Sequence, residues 1–133
     1  LTGEAQDVTQ LADNDIRSTN ARPRFEPEAF AQNVKLLVPY RGIAEKVGCS
    51  MAQLGLAWLL AQQNSAGHKT LVPIPGTKHI DFMHENVEAG DIVLEADVVA
   101  ELNELINEST VTGRRYTDDI MQTNDAERDR AAN

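Results

Sequence analysis

The chain has 133 residues, of which 41% are hydrophobic and 25% charged, a composition typical of one soluble globular unit. It is too short for two ordinary domains, and too short for a complete (β/α)8 barrel of roughly 200–250 residues. Its 21 acidic residues against 12 basic ones give a formal charge of −9. A surface that acidic repels phosphate backbones and anionic lipid heads, so we expect neither nucleic-acid nor membrane binding.

Targeting and metal-binding signals are weak. No apolar run approaches the ~20 residues of a spanning helix, and no secretory signal peptide opens the chain. Cys49 is the single cysteine, which excludes an internal disulfide, and His79 and His84 are five residues apart, a spacing that does not align on one helix face. We expect a cytoplasmic protein without a metal site. Because the chain begins at Leu1 rather than methionine, we also expect a piece of something longer or a processed chain.

The first half of the chain predicts a loop followed by helices. Residues 1–24 have little apolar content and predict an irregular, solvent-facing loop. From residue 26 to 47 apolar positions recur at helical spacing, with Pro27 suited to the first turn. Pro39 lacks an N–H, so a kink or break is expected there, and Gly48 suits a left-handed C-terminal cap.

A nearly all-apolar helix and a lone strand occupy the middle of the chain. Ser50 and Gln53 have the spacing of a helix-capping box. The helix behind them is almost wholly apolar over residues 54–61 and should therefore be buried on most sides. Residues 70–75 predict a fully buried strand of the kind found in parallel sheets, although one strand cannot form a sheet alone.

The second half predicts two further helices and a tail. Thr77 is placed to cap a helix whose apolar face is predicted to carry Ile80, Met83 and Val87, with Phe82 beside them. A regular amphipathic helix then runs to about residue 107. The last residues, 117–133, are polar and predict a mobile tail.

The turn after the predicted strand is the most suggestive site. Gly76 lets a ligand approach the backbone, and Thr77, Lys78 and His79 stand where a helix N-terminus favours an anion. The spacing fits a phosphate site, but such a pattern is more often an ordinary strand-to-helix turn with a solvated lysine.

Two other features are weaker candidates. Glu85 and Asn86, two turns into the same helix, could hydrogen-bond a base or ribose edge, but such a pair usually faces solvent. Cys49 could gain thiolate character from the helix that follows it, or be a half-buried small residue.

Several segments resemble the aldo-keto reductase family, in matching order. The segment LVPIPGTK at residues 71–78, followed by Glu85-Asn86, is similar to the last barrel strand of that family and the turn after it. CSMAQLGLAWLLAQ at residues 49–62 resembles the family's helix before that strand. IAEKVG at residues 43–48 resembles the segment before that helix. LTG at residues 1–3 resembles the loop after the seventh strand, RPRF at residues 22–25 the stretch that follows, and GRRY at residues 113–116 a C-terminal motif.

The resemblance covers residues 1–116 and implies an α/β fold, the C-terminal part of a (β/α)8 TIM barrel that is mostly helical in this segment. Residues 1–24 would be the loop after strand seven, residues 26–69 helices, residues 70–75 the last strand, and residues 76–107 the closing helices. The implied reaction is hydride transfer between NADP(H) and a small carbonyl compound. The lone strand and the apolar helix would then pack against barrel strands that lie outside this sequence.

Cofactor-binding residues follow from the same resemblance: Gly76, Thr77, Lys78, His79, Glu85, Asn86, Leu1 and Gly3. Residues 77–79 would meet the adenosine 2′-phosphate, the pair at 85–86 the adenine, and the loop at 1–3 the pyrophosphate. At Phe82 this sequence departs from many relatives, which place an arginine against the 2′-phosphate.

No catalytic residue carries over from the family. Its catalytic Asp, Tyr, Lys and His come from earlier strands, and neither Tyr40 nor Tyr116 sits in the matching motif. We therefore expect this segment alone to be inactive, with the missing N-terminal barrel strands or a complementary chain as its partner. Two alternatives remain open: a stand-alone, non-catalytic ligand-binding or interaction module, and one chain of a two-chain enzyme.

Overall fold

The computed structural model describes residues 8–65 and 71–123, and within these ranges the regular structure is helical. The α-helices are α1 (Pro27–Lys35), α2 (Leu37–Val47), α3 (Met51–Ser65), α4 (Ile80–Glu88), α5 (Ala96–Leu105) and α6 (Asp118–Thr123). Short 3-10 turns occur at Val8–Gln10, Arg22–Arg24 and Ala89–Asp91. Contacts divide the described residues into a helical unit, residues 36–65 and 71–107, and a terminal unit, residues 8–35 and 108–123.

The helix predicted from residue 26 to 47 is interrupted earlier than expected. α1 begins at Pro27, as predicted, but the break falls at Leu36 rather than at Pro39. Pro39 is the third residue of α2, inside the first turn, where backbone N–H groups have no intrahelical partner. Proline therefore removes no hydrogen bond at this position, and its fixed φ suits the start of a helix.

The predicted connection between α2 and α3 is confirmed in detail. Gly48 has a left-handed backbone with φ of 80°, and its N–H donates to the carbonyls of Ala44 and Glu45. Ser50 and Gln53 form a reciprocal capping box, with each backbone N–H donating to the other side chain at 3.1 Å.

The core of the helical unit lies among α2, α3 and α5. Its buried residues are Tyr40, Ile43, Ala44, Leu54, Val98 and Leu102. The indole Nε1 of Trp58 donates to Asn103 Oδ1 at 2.8 Å, which joins α3 to α5. However, α3 is less buried than its composition predicts: Leu54 and Ala57 are buried, whereas Leu59 is exposed.

The buried strand predicted at residues 70–75 does not form in the described part of this segment. Residues 71–75 adopt no regular secondary structure, and Val72 and Ile74 are exposed. A strand is stabilised by the hydrogen-bonded ladder to a neighbouring strand, and the described residues contain no other strand. The sequence pattern is that of a strand, but the described residues contain no neighbouring strand to pair with it.

The predicted apolar face of α4 is turned outward in the helical unit. Ile80, Met83 and Val87 are exposed, and α4 packs against α3 instead through the side that carries Glu85 and Asn86. Ala89, just after α4, is fully buried. Hydrophobic spacing identified the apolar face of this helix, but which face is covered depends on the neighbours that are present.

Two segments singled out by the family resemblance meet in the terminal unit. The Asn33 side chain accepts a hydrogen bond from the Thr112 N–H at 2.8 Å and donates to the Thr112 carbonyl at 2.9 Å. Arg24 Nε donates to the Gly113 carbonyl at 3.3 Å. The RPRF turn and the GRRY segment, about 90 residues apart in sequence, are therefore adjacent in space.

Part of the predicted tail is ordered as a helix. α6 begins at Asp118, and the Met121 N–H donates to the Thr117 carbonyl at 2.9 Å. Thr117 is itself held by its N–H, which donates to the Asn20 carbonyl. Asp118 and Asp119 stand in the first turn, where carboxylates interact favourably with the helix dipole. The prediction for residues 124–133 lies outside the described residues.

Tyr40 gives the helical unit a pH-dependent stability. It is fully buried, and its hydroxyl donates to the Met51 carbonyl at 3.0 Å. Burial, together with the nearby charge of the Cys49 thiolate, raises the pKa of Tyr40 from 10.0 to about 12. A raised folded-state pKa contributes stability that is fully present below pH 10 and is lost as the pH approaches 12, here roughly 2 kcal/mol.

Urea unfolding at pH 9 and pH 11 measures this contribution. We expect Tyr40→Phe to flatten the alkaline loss, with Cys49→Ser introduced into both proteins to remove the thiol titration. A Tyr40→Phe protein that loses as much stability between the two pH values as its parent would contradict the assignment.

Candidate functional site

An open groove of about 900 Å³ lies in the helical unit, between the start of α3, the turn before α4, and α4 itself. It is lined by Arg41, Ala44, Glu45, Cys49, Ser50, Met51, Ala52, Gly55, Leu56, Trp58, Leu59, Pro75, Gly76, Thr77, Phe82, Glu85 and Asn86. The groove has an apolar floor along one side of α3 and polar groups where the turn and α4 meet it. This combination is typical of sites that take small organic ligands.

The turn places Gly76 and Thr77 at the groove. A Cβ atom on Gly76 would meet nothing within 4 Å, so the space above its backbone is open. Thr77 does not cap α4 as predicted. Its Oγ1 accepts a hydrogen bond from the His79 N–H at 3.1 Å, which folds the turn locally, and α4 begins three residues after Thr77, at Ile80.

Lys78 and His79 lie beside the groove rather than in its lining. Both are exposed, and His79 is the N-cap residue of α4 without a side-chain capping bond. The His79 ring meets Phe82 edge-to-face, with ring centroids 5.3 Å apart. Leu1 and Gly3 lie outside the described residues.

Glu85 and Asn86 line the groove and are half-buried. They are therefore not a fully solvent-exposed pair, which is the common arrangement for such residues on a helix. Their position is set by Gln53. The Nε2 of Gln53 donates to the Glu85 carbonyl at 3.2 Å and lies 3.4 Å from Glu88 Oε2. The side chain that completes the capping box therefore also fixes α4 against α3.

Gln53 is a residue whose role at the site the sequence left undefined. The capping-box spacing identified Gln53 Oε1 as a cap, but no local signal shows that its amide nitrogen reaches another helix. The hydrophobic spacing put Phe82 beside the apolar face, whereas the family resemblance put position 82 at the 2′-phosphate; its ring lines the groove, roughly half exposed.

Three other side chains with titratable or aromatic groups are Cys49, Tyr40 and Tyr116. Cys49 lines the groove, but burial raises the pKa of its thiol, contrary to the thiolate interpretation. Tyr40 is buried behind the groove with its hydroxyl bonded to Met51. In the terminal unit, the Arg115 guanidinium covers the Tyr116 ring at 5.1 Å.

Residues 8–65 and 71–123 contain neither a metal-binding cluster nor a membrane-spanning helix. No three His, Cys, Asp or Glu side chains there are grouped so that they could hold a metal ion. No helix in the same ranges combines the length and apolar character needed to cross a membrane.

Comparison with known proteins assigns the family. The model of the aldo/keto reductase family matches residues 4–107. A Schizosaccharomyces pombe protein named as the NADP(+) aldo-keto reductase yakc is 34% identical over 116 residues. A Strobilurus tenacellus protein named aldo-keto reductase str7 is 36% identical over 115 residues.

These matches cover 87% and 86% of this chain but only 32% of each relative, so the chain spans about a third of the length of these relatives. No solved structure matches. The fold of the family is the (β/α)8 barrel, and a chain that is helical over its described residues is consistent with the C-terminal part of that barrel. The chain belongs to the aldo-keto reductase family.

Proposed function

We propose that this chain is the C-terminal segment of an NADP(H)-dependent aldo-keto reductase and that its groove holds the adenosine end of the cofactor. The observation that carries the proposal is the convergence of Gly76, Thr77, Glu85 and Asn86 on one groove. These residues come from two elements, and they are four of the eight residues for which the family resemblance implied cofactor contacts.

The chemistry of the groove fits an adenosine nucleotide. Glu85 and Asn86 supply a carboxylate acceptor and an amide that can both donate and accept, which suits the edge of a base or a ribose hydroxyl. Lys78 is an exposed cation in a chain of charge −9 and stands next to Thr77. A lysine and a threonine hydroxyl at a turn can bind a phosphate monoester, such as the 2′-phosphate.

The role of this segment is to bind and orient the cofactor. When bound, NADP(H) supplies the hydride for reduction of a small carbonyl compound. Thr77 and Lys78 hold the phosphate, and Glu85 and Asn86, fixed through Gln53, set the register of the adenosine. We propose that the groups that move protons to the carbonyl come from the rest of the barrel, so that this chain alone is inactive.

Cofactor titration of the 133-residue chain tests the phosphate assignment. NADPH should bind roughly tenfold more tightly than NADH, and Lys78→Ala should remove most of that difference by weakening NADPH alone. The measurement is quenching of Trp58 fluorescence or isothermal titration calorimetry.

Lys46→Ala is the matched control, because Lys46 lies on α2 with its Nζ 3.9 Å from Glu101 and is not part of the groove lining. It should leave both affinities unchanged. Identical NADPH and NADH curves for the unmodified chain would remove the phosphate assignment.

A further inference from the structure

Arg41 brings a positive charge into the groove lining from α2. Glu45, four residues further along the same helix, lines the groove as well, and both side chains are exposed. Residues at this spacing on a helix are close enough to form an ion pair. Within residues 8–65 and 71–123, however, Arg41 forms no ion pair, hydrogen bond or ring contact with Glu45 or with any other residue.

Arg41 differs in this respect from the other arginines of the described ranges. Those that have an ion pair, a hydrogen bond or a ring contact are Arg17, Arg22, Arg24, Arg114 and Arg115. A guanidinium carries its N–H donors in a planar fork and stays protonated at physiological pH. The donors of Arg41 are therefore available to an anion that enters the groove.

The cations of the helical unit that have no carboxylate partner are concentrated at the groove. Over residues 36–65 and 71–107 the lysines and arginines are Arg41, Lys46 and Lys78. Lys46 Nζ lies 3.9 Å from Glu101, and Lys46 is not part of the groove lining. The other two lie in the groove lining and beside it, in a chain whose formal charge is −9. An anion is therefore attracted to the groove and repelled by the acidic side chains elsewhere on the unit.

These two cations reach the groove from different elements. α3 packs against both α2 and α4 and supplies the groove floor. Arg41 stands on the α2 side, whereas Lys78 follows Thr77 in the turn that leads into α4. A ligand that lies across the floor can therefore meet one positive charge from α2 and another from the turn.

We propose that Arg41 binds phosphate on the 5′ side of the adenosine ribose, the diphosphate that NADPH and NADH share. This inference rests on the proposed function, in which Thr77 and Lys78 hold the 2′-phosphate. Phosphates at the 2′ and 5′ positions leave the ribose in different directions, and two cations on different elements match that arrangement. The planar fork of a guanidinium suits two phosphate oxygens at once. Arg41 contributes affinity for both cofactors, whereas Lys78 distinguishes between them.

Titration with adenosine 2′-monophosphate and adenosine 5′-diphosphate separates the two cations, because each compound carries phosphate at one position only. Arg41→Ala should weaken binding of the 5′-diphosphate about tenfold and change binding of the 2′-monophosphate less than about twofold. Lys78→Ala should have the reverse effect. Isothermal titration calorimetry of the 133-residue chain measures both affinities.

Three further variants control for charge and for folding. Lys46→Ala removes the same charge from the same helix outside the groove lining, and it should change neither affinity. Arg41→Lys keeps the charge without the fork and should recover part of the affinity for the 5′-diphosphate. Glu45→Gln removes a carboxylate that repels phosphate and should tighten 5′-diphosphate binding about twofold. Arg41 and Glu45 are exposed, and circular dichroism checks that each variant retains its helices.

The outcomes separate this inference from the proposed function. If Arg41→Ala leaves 5′-diphosphate binding unchanged while Lys78→Ala weakens the 2′-monophosphate, Arg41 is a solvated side chain and only the proposed function stands. An equal loss of both nucleotides in Arg41→Ala would overturn the assignment to the 5′ side. A selective loss of the 5′-diphosphate in Arg41→Ala, with no effect of Lys78→Ala on the 2′-monophosphate, would sustain the role of Arg41 and remove that of Lys78. No binding of either nucleotide to the unmodified chain would overturn both proposals.

Discussion

Gly113→Ala is expected to destabilise the terminal unit by about 3 kcal/mol or more. Gly113 has a φ of 89°, which costs an L-residue roughly 1–2 kcal/mol. An added Cβ would also clash with the Pro23 carbonyl oxygen. The same Cβ would lie 2.9 Å from the Pro23 carbonyl carbon and 3.2 Å from the Arg24 Cα. These are backbone atoms, so the neighbour cannot move aside without displacing the Arg22–Arg24 turn.

Hydrogen exchange is the direct readout for this variant. The Thr112 and Thr117 amides, which donate to Asn33 and to the Asn20 carbonyl, should exchange much faster in Gly113→Ala. Gly42→Ala is the control, because a Cβ there meets nothing within 4 Å and alanine favours the helix by up to about 1 kcal/mol. Unchanged protection of both amides in Gly113→Ala would show that the two segments are not packed together in solution.

Leu54→Ala is expected to lower the free energy of unfolding of the helical unit by about 3 kcal/mol. Leu54 is fully buried in the cluster with Tyr40, Ile43 and Leu102. Truncation removes the free energy gained by burying the leucine side chain away from water. It also leaves a cavity among side chains of α2 and α5, which the surrounding helices fill only in part. Urea unfolding followed by circular dichroism measures the loss.

Leu59→Ala is the matched control on the same helix. Leu59 is 39% exposed and lines the open groove, so its truncation should cost less than about 1 kcal/mol. If the two substitutions destabilise the chain equally, α3 does not pack with Leu54 inward, and the core among α2, α3 and α5 is wrong.

Features decided by a few neighbouring residues were predictable from the sequence. The capping box at Ser50 and Gln53, the left-handed Gly48 and the start of α1 at Pro27 all occur as expected. Each depends on hydrogen bonds or dihedral angles within about five residues, so the local sequence contains the whole cause.

Features decided by distant neighbours were predicted less well. The strand pattern at residues 70–75 and the apolar stripe on α4 are real periodicities, but the described chain provides neither a paired strand nor a cover for the stripe. The capping role predicted for Thr77 is a local exception: its hydroxyl accepts the His79 N–H two residues on, within the turn, instead of capping α4.

The structure brings only some of the residues proposed for the cofactor to the groove. Gly76, Thr77, Glu85 and Asn86 line one groove, whereas Lys78 and His79 stand beside it. No local pattern could reveal that Gln53 fixes Glu85, because that bond joins residues 32 positions apart.

The sequence by itself determined the family, the caps at Gly48 and Ser50, and the apolar periodicities, since these follow from residue identity and short-range backbone geometry. Only the tertiary structure decided which face of α4 meets α3, where Phe82 points, and that RPRF and GRRY are adjacent. The physical reason is that burial is a property of pairs of surfaces: hydrophobic spacing specifies a face that needs cover, and the partner that supplies the cover lies elsewhere in the chain or outside it.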